Sequence, residues 1–187
     1  MRAVLSPLGF GCLLIVALAG AAPAAAASGG SVTGDGTGLL LIPPFTGDPI
    51  RVQMSAVDIG GGAVRGHFDI FHTRPSGELE GHVAGEVTCL RINGRLATLT
   101  GVVTQGVTPI KPGFDPVGHV VALTVMDGGS VDQVGLDLDW FPIPHTVGAC
   151  AMAPPQVHVS EGRFEVQGEN GRSSGRHVDR AGVASWE

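Results

Sequence analysis

Alternation of apolar and polar side chains with a period of two is the feature of this 187-residue chain that most limits its fold. This period is typical of β-strands that have one buried face and one face in water. No stretch shows the longer period of an amphipathic helix, and Gly and Pro interrupt the chain too often for long helices. The clearest alternating segments are residues 51–56, 64–70, 79–83, 133–140 and 163–167.

An Asn-Gly dipeptide predicts the tightest turn of the chain. Asn93-Gly94 lies between two apolar stretches and is a strong signal for a two-residue hairpin turn. Such a turn pairs Leu90 with Ala97, places Leu90 on the inner face and directs Cys89 outward. The strands of this hairpin are residues 86–92 and 95–104, and a further strand is predicted over residues 119–126. That further strand is apolar on both faces, so we expect its outer side to be covered.

Eight strand candidates joined by short connections predict a single antiparallel all-β domain in which strands adjacent in sequence are adjacent in the sheet. Eight such strands can close into a small barrel or divide into a sandwich. We favour the barrel, because closure removes the exposed edge strands that a monomeric sheet would otherwise carry.

The two ends of the chain differ from its middle. Residues 1–27 combine a positive start, an apolar core and an Ala-x-Ala site, which is the pattern of a secretory signal peptide. We therefore expect a secreted, extracellular protein with no stable membrane anchor after the signal is cleaved. Residues 28–48 are predicted to be a flexible Gly-rich linker, residues 49–168 the antiparallel β domain, and residues 169–187 a disordered polar tail.

Charge and composition exclude two classes of partner. The formal net charge is −6, whereas nucleic acids and anionic membranes both require basic patches on the proteins that bind them. The sequence is rich in Ala, Gly and Val and contains Lys only at Lys111, which indicates a GC-rich bacterial genome.

Two cysteines remain after the signal peptide is removed, Cys89 and Cys150. In an oxidising compartment a lone pair of cysteines most often forms one disulfide bond. A bridge that closes a loop of this length would add roughly 4 kcal/mol to stability in the chain-entropy account. The alternative is two unpaired, half-buried thiols.

His67, Asp69 and His82 form a candidate polar face. A turn centred on Pro75-Ser76 places Asp69 directly opposite His82, with His67 two residues away on the same face. Two imidazoles and a carboxylate suit a zinc ion or an oriented general base. The alternative is a solvent-facing ladder of cross-strand polar pairs.

Other motifs do not add chemistry. Residues 171–175 match G-x-S-x-G but lack the preceding strand and following helix that the motif requires. Asp127, Asp132, Asp137 and Asp139 do not follow the spacing of an EF-hand loop. Asp137 and Asp139 fall on the outer face of a predicted strand, where acids commonly serve solubility, and a weak calcium ion bound at the turn near Asp127 and Asp132 is the alternative. The sequence therefore predicts no catalytic residue, no cofactor and no resident metal.

The hairpin and two further strands resemble a known group of small secreted bacterial proteins that is common in actinobacteria. The residues that carry the resemblance are GEVTCLRING (85–94), ATLTGVV (97–103), GHF (66–68), VMDGG (125–129) and DQVGL (132–136). The resemblance covers about two thirds of residues 28–187. It implies secretion and an all-β domain; the group has no assigned activity, so it implies no functional residues.

Three functions compete on these observations. The first, which we favour from the sequence, is a secreted non-enzymatic binding or interaction domain whose partner is a protein, the cell wall or a small molecule. The second is a lipocalin-like carrier whose barrel holds a small apolar ligand. The third is a hydrolase or metal site on the face that carries His67, Asp69 and His82. For the carrier, the candidate cavity lining is Phe68, Ile70, Leu136 and Trp140.

Overall fold

Eight antiparallel strands follow one another around a closed barrel in the computed structural model, which describes residues 29–168. Each strand pairs with its neighbours in sequence, and β8 pairs with β1 to close the barrel. The antiparallel all-β fold and the preference for a barrel over a sandwich are both confirmed. The strands are β1 (Ser31–Leu40), β2 (Pro49–Gly60), β3 (Ala63–Thr73), β4 (Leu79–Asn93), β5 (Leu96–Val107), β6 (Val120–Met126), β7 (Gln133–Leu138) and β8 (Pro155–Gln167).

The expected signal peptide (1–27), the polar tail (169–187) and the G-x-S-x-G match (171–175) lie outside the described residues. Among residues 29–168 no helix is long and apolar enough to cross a membrane.

The linker prediction is wrong for most of its length, because residues 28–48 contain the whole of β1. The inward and outward residues of this strand also alternate, but three of the inward residues are glycines. Glycine has no apolar side chain, so the alternation is not visible in the sequence. The glycines make room for a large side chain: a Cβ on Gly36 would lie 2.6 Å from Cε2 of Phe164. The β domain therefore begins near residue 31. The residues of β1 on its inner face are Val32, Gly34, Gly36, Gly38 and Leu40.

Two phenylalanines fill the middle of the barrel. Phe68 and Phe164 are both fully buried. The Phe68 ring lies against two glycines, since a Cβ would fall 2.7 Å from it at Gly85 and 2.6 Å from it at Gly101. Small inward residues thus accommodate large ones across the barrel, which is how a small barrel reaches the packing density of a protein core.

The Asn-Gly hairpin forms, but its register differs by two residues from the predicted one. The turn consists of Gly94-Arg95, and Leu90 pairs with Leu99 instead of Ala97. Gly94 has a φ of 61°, whereas Asn93 is not in the left-handed region that a type I′ turn at Asn93-Gly94 requires. Asn93 stays in the strand and pairs with Leu96, so the two-residue turn lies one residue further along the chain. A shift of two residues leaves Leu90 on the inner face and Cys89 on the outer face, as predicted.

The connection between β7 and β8, residues 139–154, covers the outer side of β5 and β6. We call it the covering loop. A disulfide bond joins Cys150 in this loop to Cys89 on β4, with 5.4 Å between their Cα atoms, so the predicted bridge is confirmed. Further along the loop, Ala153 N donates to Thr124 Oγ1 at 2.8 Å. Ala122 faces outward on β6 and is fully buried, which confirms that this strand is covered on its outer side.

Candidate functional site

A pocket of about 100 Å³ lies at one end of the barrel, where the β1–β2, β3–β4, β5–β6 and β7–β8 connections meet. In an up-and-down barrel every second connection lies at the same end, so these four segments surround one opening. Most of the lining is aliphatic or aromatic. Lys111 also lines the pocket, and its Nζ lies 4.2 Å from the centroid of the Phe114 ring. Prominent apolar lining residues are Ile42, Ile50, Ile70, Leu136, Leu138 and Trp140.

The structure places three of the four residues that we suggested for a cavity lining in this pocket. Ile70, Leu136 and Trp140 line it, whereas Phe68 lies deeper, in the packed middle of the barrel. Phe68 occupies the space that the small inward residues leave in the middle of the barrel, and the pocket lies beyond it, near the strand ends. Gly81 lines the pocket as well, and the nearest atom to a Cβ built on it is Val107 O at 4.0 Å.

Glu80 is the most unusual residue of the pocket wall. His72 pairs with Gly81 and Thr73 pairs with Leu79, so Glu80 is left out of the β3–β4 ladder at a bulge. A bulge redirects the side chain it carries, and Glu80 is only 4% exposed. Arg74 Nε donates to Glu80 Oε1 at 2.5 Å. The other oxygen, Oε2, is buried and accepts no hydrogen bond from any of the described residues.

His72 and Asp48 complete a group around that oxygen. His72 Nε2 lies 3.4 Å from Glu80 Oε2 and 3.1 Å from Asp48 Oδ2. Phe45 holds the imidazole from the side in an edge-on contact, with ring centroids 4.9 Å apart. Within residues 29–168, these three side chains are the only group of three or more His, Cys, Asp or Glu residues close enough to share a metal ion. We call them the carboxylate–histidine group.

The sequence pattern identifies one residue of the carboxylate–histidine group and misses the other two, for different reasons. His72 was readable, because it continues the inward series of Phe68 and Ile70 at a spacing of two. The inward position of Glu80 cannot be predicted in this way, because strict alternation assigns Glu80 to the face in water and no local sequence signal indicates the bulge. Asp48 falls within the predicted linker (28–48), although in the structure it ends the β1–β2 connection directly before β2.

Only part of the predicted polar face forms. His82 Nε2 lies 3.0 Å from Asp69 Oδ1, so these two residues do meet. The predicted register is nevertheless wrong, since Asp69 pairs with Ala84 and not with His82. Gly77 adopts a φ of 85° in a turn longer than the two-residue one we predicted. His67 is exposed and lies opposite another residue of β4, so the three side chains do not converge.

The two aspartates considered for calcium both bind protein groups. Burial raises the pKa of Asp127, but the hydrogen bond and charge of Arg95 outweigh it and hold that pKa below its ordinary value. Asp132 is buried, and its carboxylate accepts hydrogen bonds from the backbone N–H groups of Gly128 and Phe164. Their oxygens thus bind the chain itself, which favours a structural role.

Comparison of the chain with models of protein families, with curated proteins and with solved structures finds no match.

Proposed function

We propose that the protein binds the apolar part of a small molecule in the pocket at the end of its barrel. The observation that supports this proposal is the contrast along the barrel axis: the middle is packed with Phe68 and Phe164, whereas the end holds an apolar pocket. A concave apolar site with a few polar groups on its wall is the usual form of a small-molecule site. Here His72 and Glu80 supply those polar groups.

The volume of the pocket limits the size of the ligand. A cavity of about 150 Å³ lined by aliphatic and aromatic residues holds one benzene molecule. The pocket of about 100 Å³ is smaller, so it takes at most a single ring or a short branched chain, and the rest of a larger ligand would lie outside it.

The place of action is part of the same proposal. The signal-peptide pattern of residues 1–27 favours export, and a disulfide bond is typical of oxidising compartments. Both agree with a carrier that works outside the cytoplasm, as does the resemblance to secreted bacterial proteins. The interaction domain and the hydrolase remain predictions from the sequence, and no contact in the pocket favours either.

A fluorescence titration of residues 28–187 tests the proposal. The chain has two tryptophans, so the Trp186→Phe variant leaves Trp140, in the pocket wall, as the only one. We expect 1-hexanol, cyclohexanol and benzyl alcohol to change its emission in a saturable way, with dissociation constants in roughly the micromolar to millimolar range.

A matched pair of variants at Gly81 shows whether the response comes from the pocket. Gly81→Leu fills the pocket without a backbone clash, because a Cβ there has no neighbour closer than 4.0 Å, whereas Gly81→Ala fills little of it. Gly81→Leu should lose binding and Gly81→Ala should keep it. Circular dichroism should show that both variants are folded. Equal binding by Gly81→Leu would contradict the proposal.

A further inference from the structure

We infer that Asp48, His72 and Glu80 bind a divalent transition-metal ion, with Zn²⁺ as the best match to their chemistry. The site lies in the wall of the pocket but does not depend on the proposed apolar ligand. It also differs from the polar face on which the sequence suggested a metal, since that face brings together only His82 and Asp69.

The spacing of the three donor atoms fits one small ion. Zinc bonds to histidine nitrogen and carboxylate oxygen are about 2.0–2.2 Å long, so neighbouring donors in a tetrahedral site are roughly 3.3 Å apart. The separations from His72 Nε2 are 3.1 Å to Asp48 Oδ2 and 3.4 Å to Glu80 Oε2. All three donor atoms lie within 4.8 Å of one another. An ion would therefore enter with little movement of the side chains.

The unpartnered oxygen of Glu80 is the second observation, and it is independent of the spacing. Burying a carboxylate oxygen without a partner costs free energy, and Oε2 is buried without a hydrogen bond from the described residues. Arg74 binds the other oxygen, Oε1, and so fixes the direction in which Oε2 points. A cation between Glu80 and His72 would provide the missing partner.

Charge at the site also suits a dication. The connected ionic groups are three carboxylates, from Asp48, Glu78 and Glu80, and one guanidinium, from Arg74. With a neutral imidazole at His72 their net charge is −2, which a divalent ion would neutralise. One imidazole and two carboxylates suit Zn²⁺ better than Mg²⁺, which prefers oxygen ligands alone.

The ligand count predicts what the ion does. Three protein ligands leave the fourth position of a tetrahedral zinc site to water or to an added group. His72 and Glu80 both line the pocket, so a molecule bound there could place an oxygen or nitrogen atom on the metal. The pocket would then recognise an apolar body with one metal-binding donor.

Titration with Co²⁺ tests the inference directly. Residues 28–187 are freed of metal with a chelator, dialysed and titrated with CoCl₂, since Co²⁺ occupies zinc sites and gives visible absorption bands when four-coordinate. We expect one equivalent of Co²⁺ to bind and ZnCl₂ to displace it. Affinity should fall by at least about 100-fold in His72→Asn and in Glu80→Gln.

The control is the other histidine–carboxylate pair. His82→Asn removes an imidazole 3.0 Å from Asp69, a pair for which residues 29–168 offer no third ligand, so Co²⁺ binding should be unchanged. Asp48→Asn serves as a further test if Glu80→Gln fails to fold. Failure of the unmodified chain to bind Co²⁺ or Zn²⁺ at millimolar concentration would overturn the inference, as would binding that His82→Asn abolishes. Because Gly81→Leu leaves all three ligands in place, the metal site and the apolar pocket can fail separately.

Discussion

Asp132 shows, at the scale of a single residue, how this barrel accommodates a buried charge. Its two carboxylate oxygens accept hydrogen bonds at 3.0 Å from Gly128 N and at 2.7 Å from Phe164 N. The first bond closes the β6–β7 turn, and the second ties that turn to β8. A buried carboxylate is tolerated where backbone donors satisfy it.

Removal of this carboxylate should be costly. We expect Asp132→Ala to lower the free energy of unfolding by about 2–4 kcal/mol, because the buried N–H of Phe164 and the half-buried N–H of Gly128 both lose their acceptor. Urea unfolding followed by circular dichroism measures the change. Asp115→Ala is the matched control: Asp115 also accepts a backbone N–H, from Val117, but it is exposed, so the loss should be much smaller. Equal losses in the two variants would rule out burial as the cause.

At the scale of the element, strand β1 shows how inward glycines can hide a core strand in the sequence. Its inner residues alternate as strictly as those of β2, but glycine at three of them makes the segment resemble a linker. In a narrow barrel, an inward glycine opposite a phenylalanine is part of the core. The sequence contains both halves of this pairing, Gly36 and Phe164, but period alone does not show that they meet.

A methyl group at Gly36 tests this reading of β1. Gly36→Ala puts a Cβ 2.6 Å from the Phe164 ring, and we expect overpacking to lower stability by about 1–3 kcal/mol. Gly81→Ala, in a strand with open space, should be neutral or slightly stabilising. Thermal and urea unfolding of both variants provide the comparison. If Gly36→Ala left the free energy of unfolding unchanged, β1 would not be packed against Phe164 as described.

At the scale of the whole molecule, the disulfide bond holds the covering loop on the barrel. Cys150 is bonded to Cys89 and also donates its backbone N–H to Thr100 Oγ1 at 3.2 Å. The bridge spans 61 residues of sequence, so it restricts the unfolded chain as well as the loop.

Loss of the bridge should weaken the fold without abolishing it. We expect the double variant Cys89→Ala/Cys150→Ala to lose about 2–4 kcal/mol of unfolding free energy. The eight-stranded ladder is still complete in this variant, so its far-UV spectrum should remain that of a β protein. Reductant should lower the unfolding free energy of the unmodified chain to that of the variant, and it should leave the unfolding free energy of the variant unchanged. A reductant effect on the variant would show that the bridge is not the source.

The parts of the fold that the sequence predicts are those that depend only on which face a residue occupies. The barrel, the outward Cys89 and the covered β6 all survive register errors of two residues, because an even shift keeps each side chain on its face. The carboxylate–histidine group depends on a bulge at Glu80 and on the end of a loop at Asp48. Neither is a periodic feature, so periodicity could not find the site.

The up-and-down order of the strands divides the connections into two sets. The β2–β3, β4–β5 and β6–β7 turns lie at the end of the barrel opposite the pocket. The Gly94-Arg95 turn between β4 and β5 is therefore a suitable attachment point far from the pocket. A dye, an affinity tag or a solid support attached there would leave the pocket end facing the sample, so, if the pocket binds a small molecule as proposed, the barrel would serve as an immobilised sensor for it.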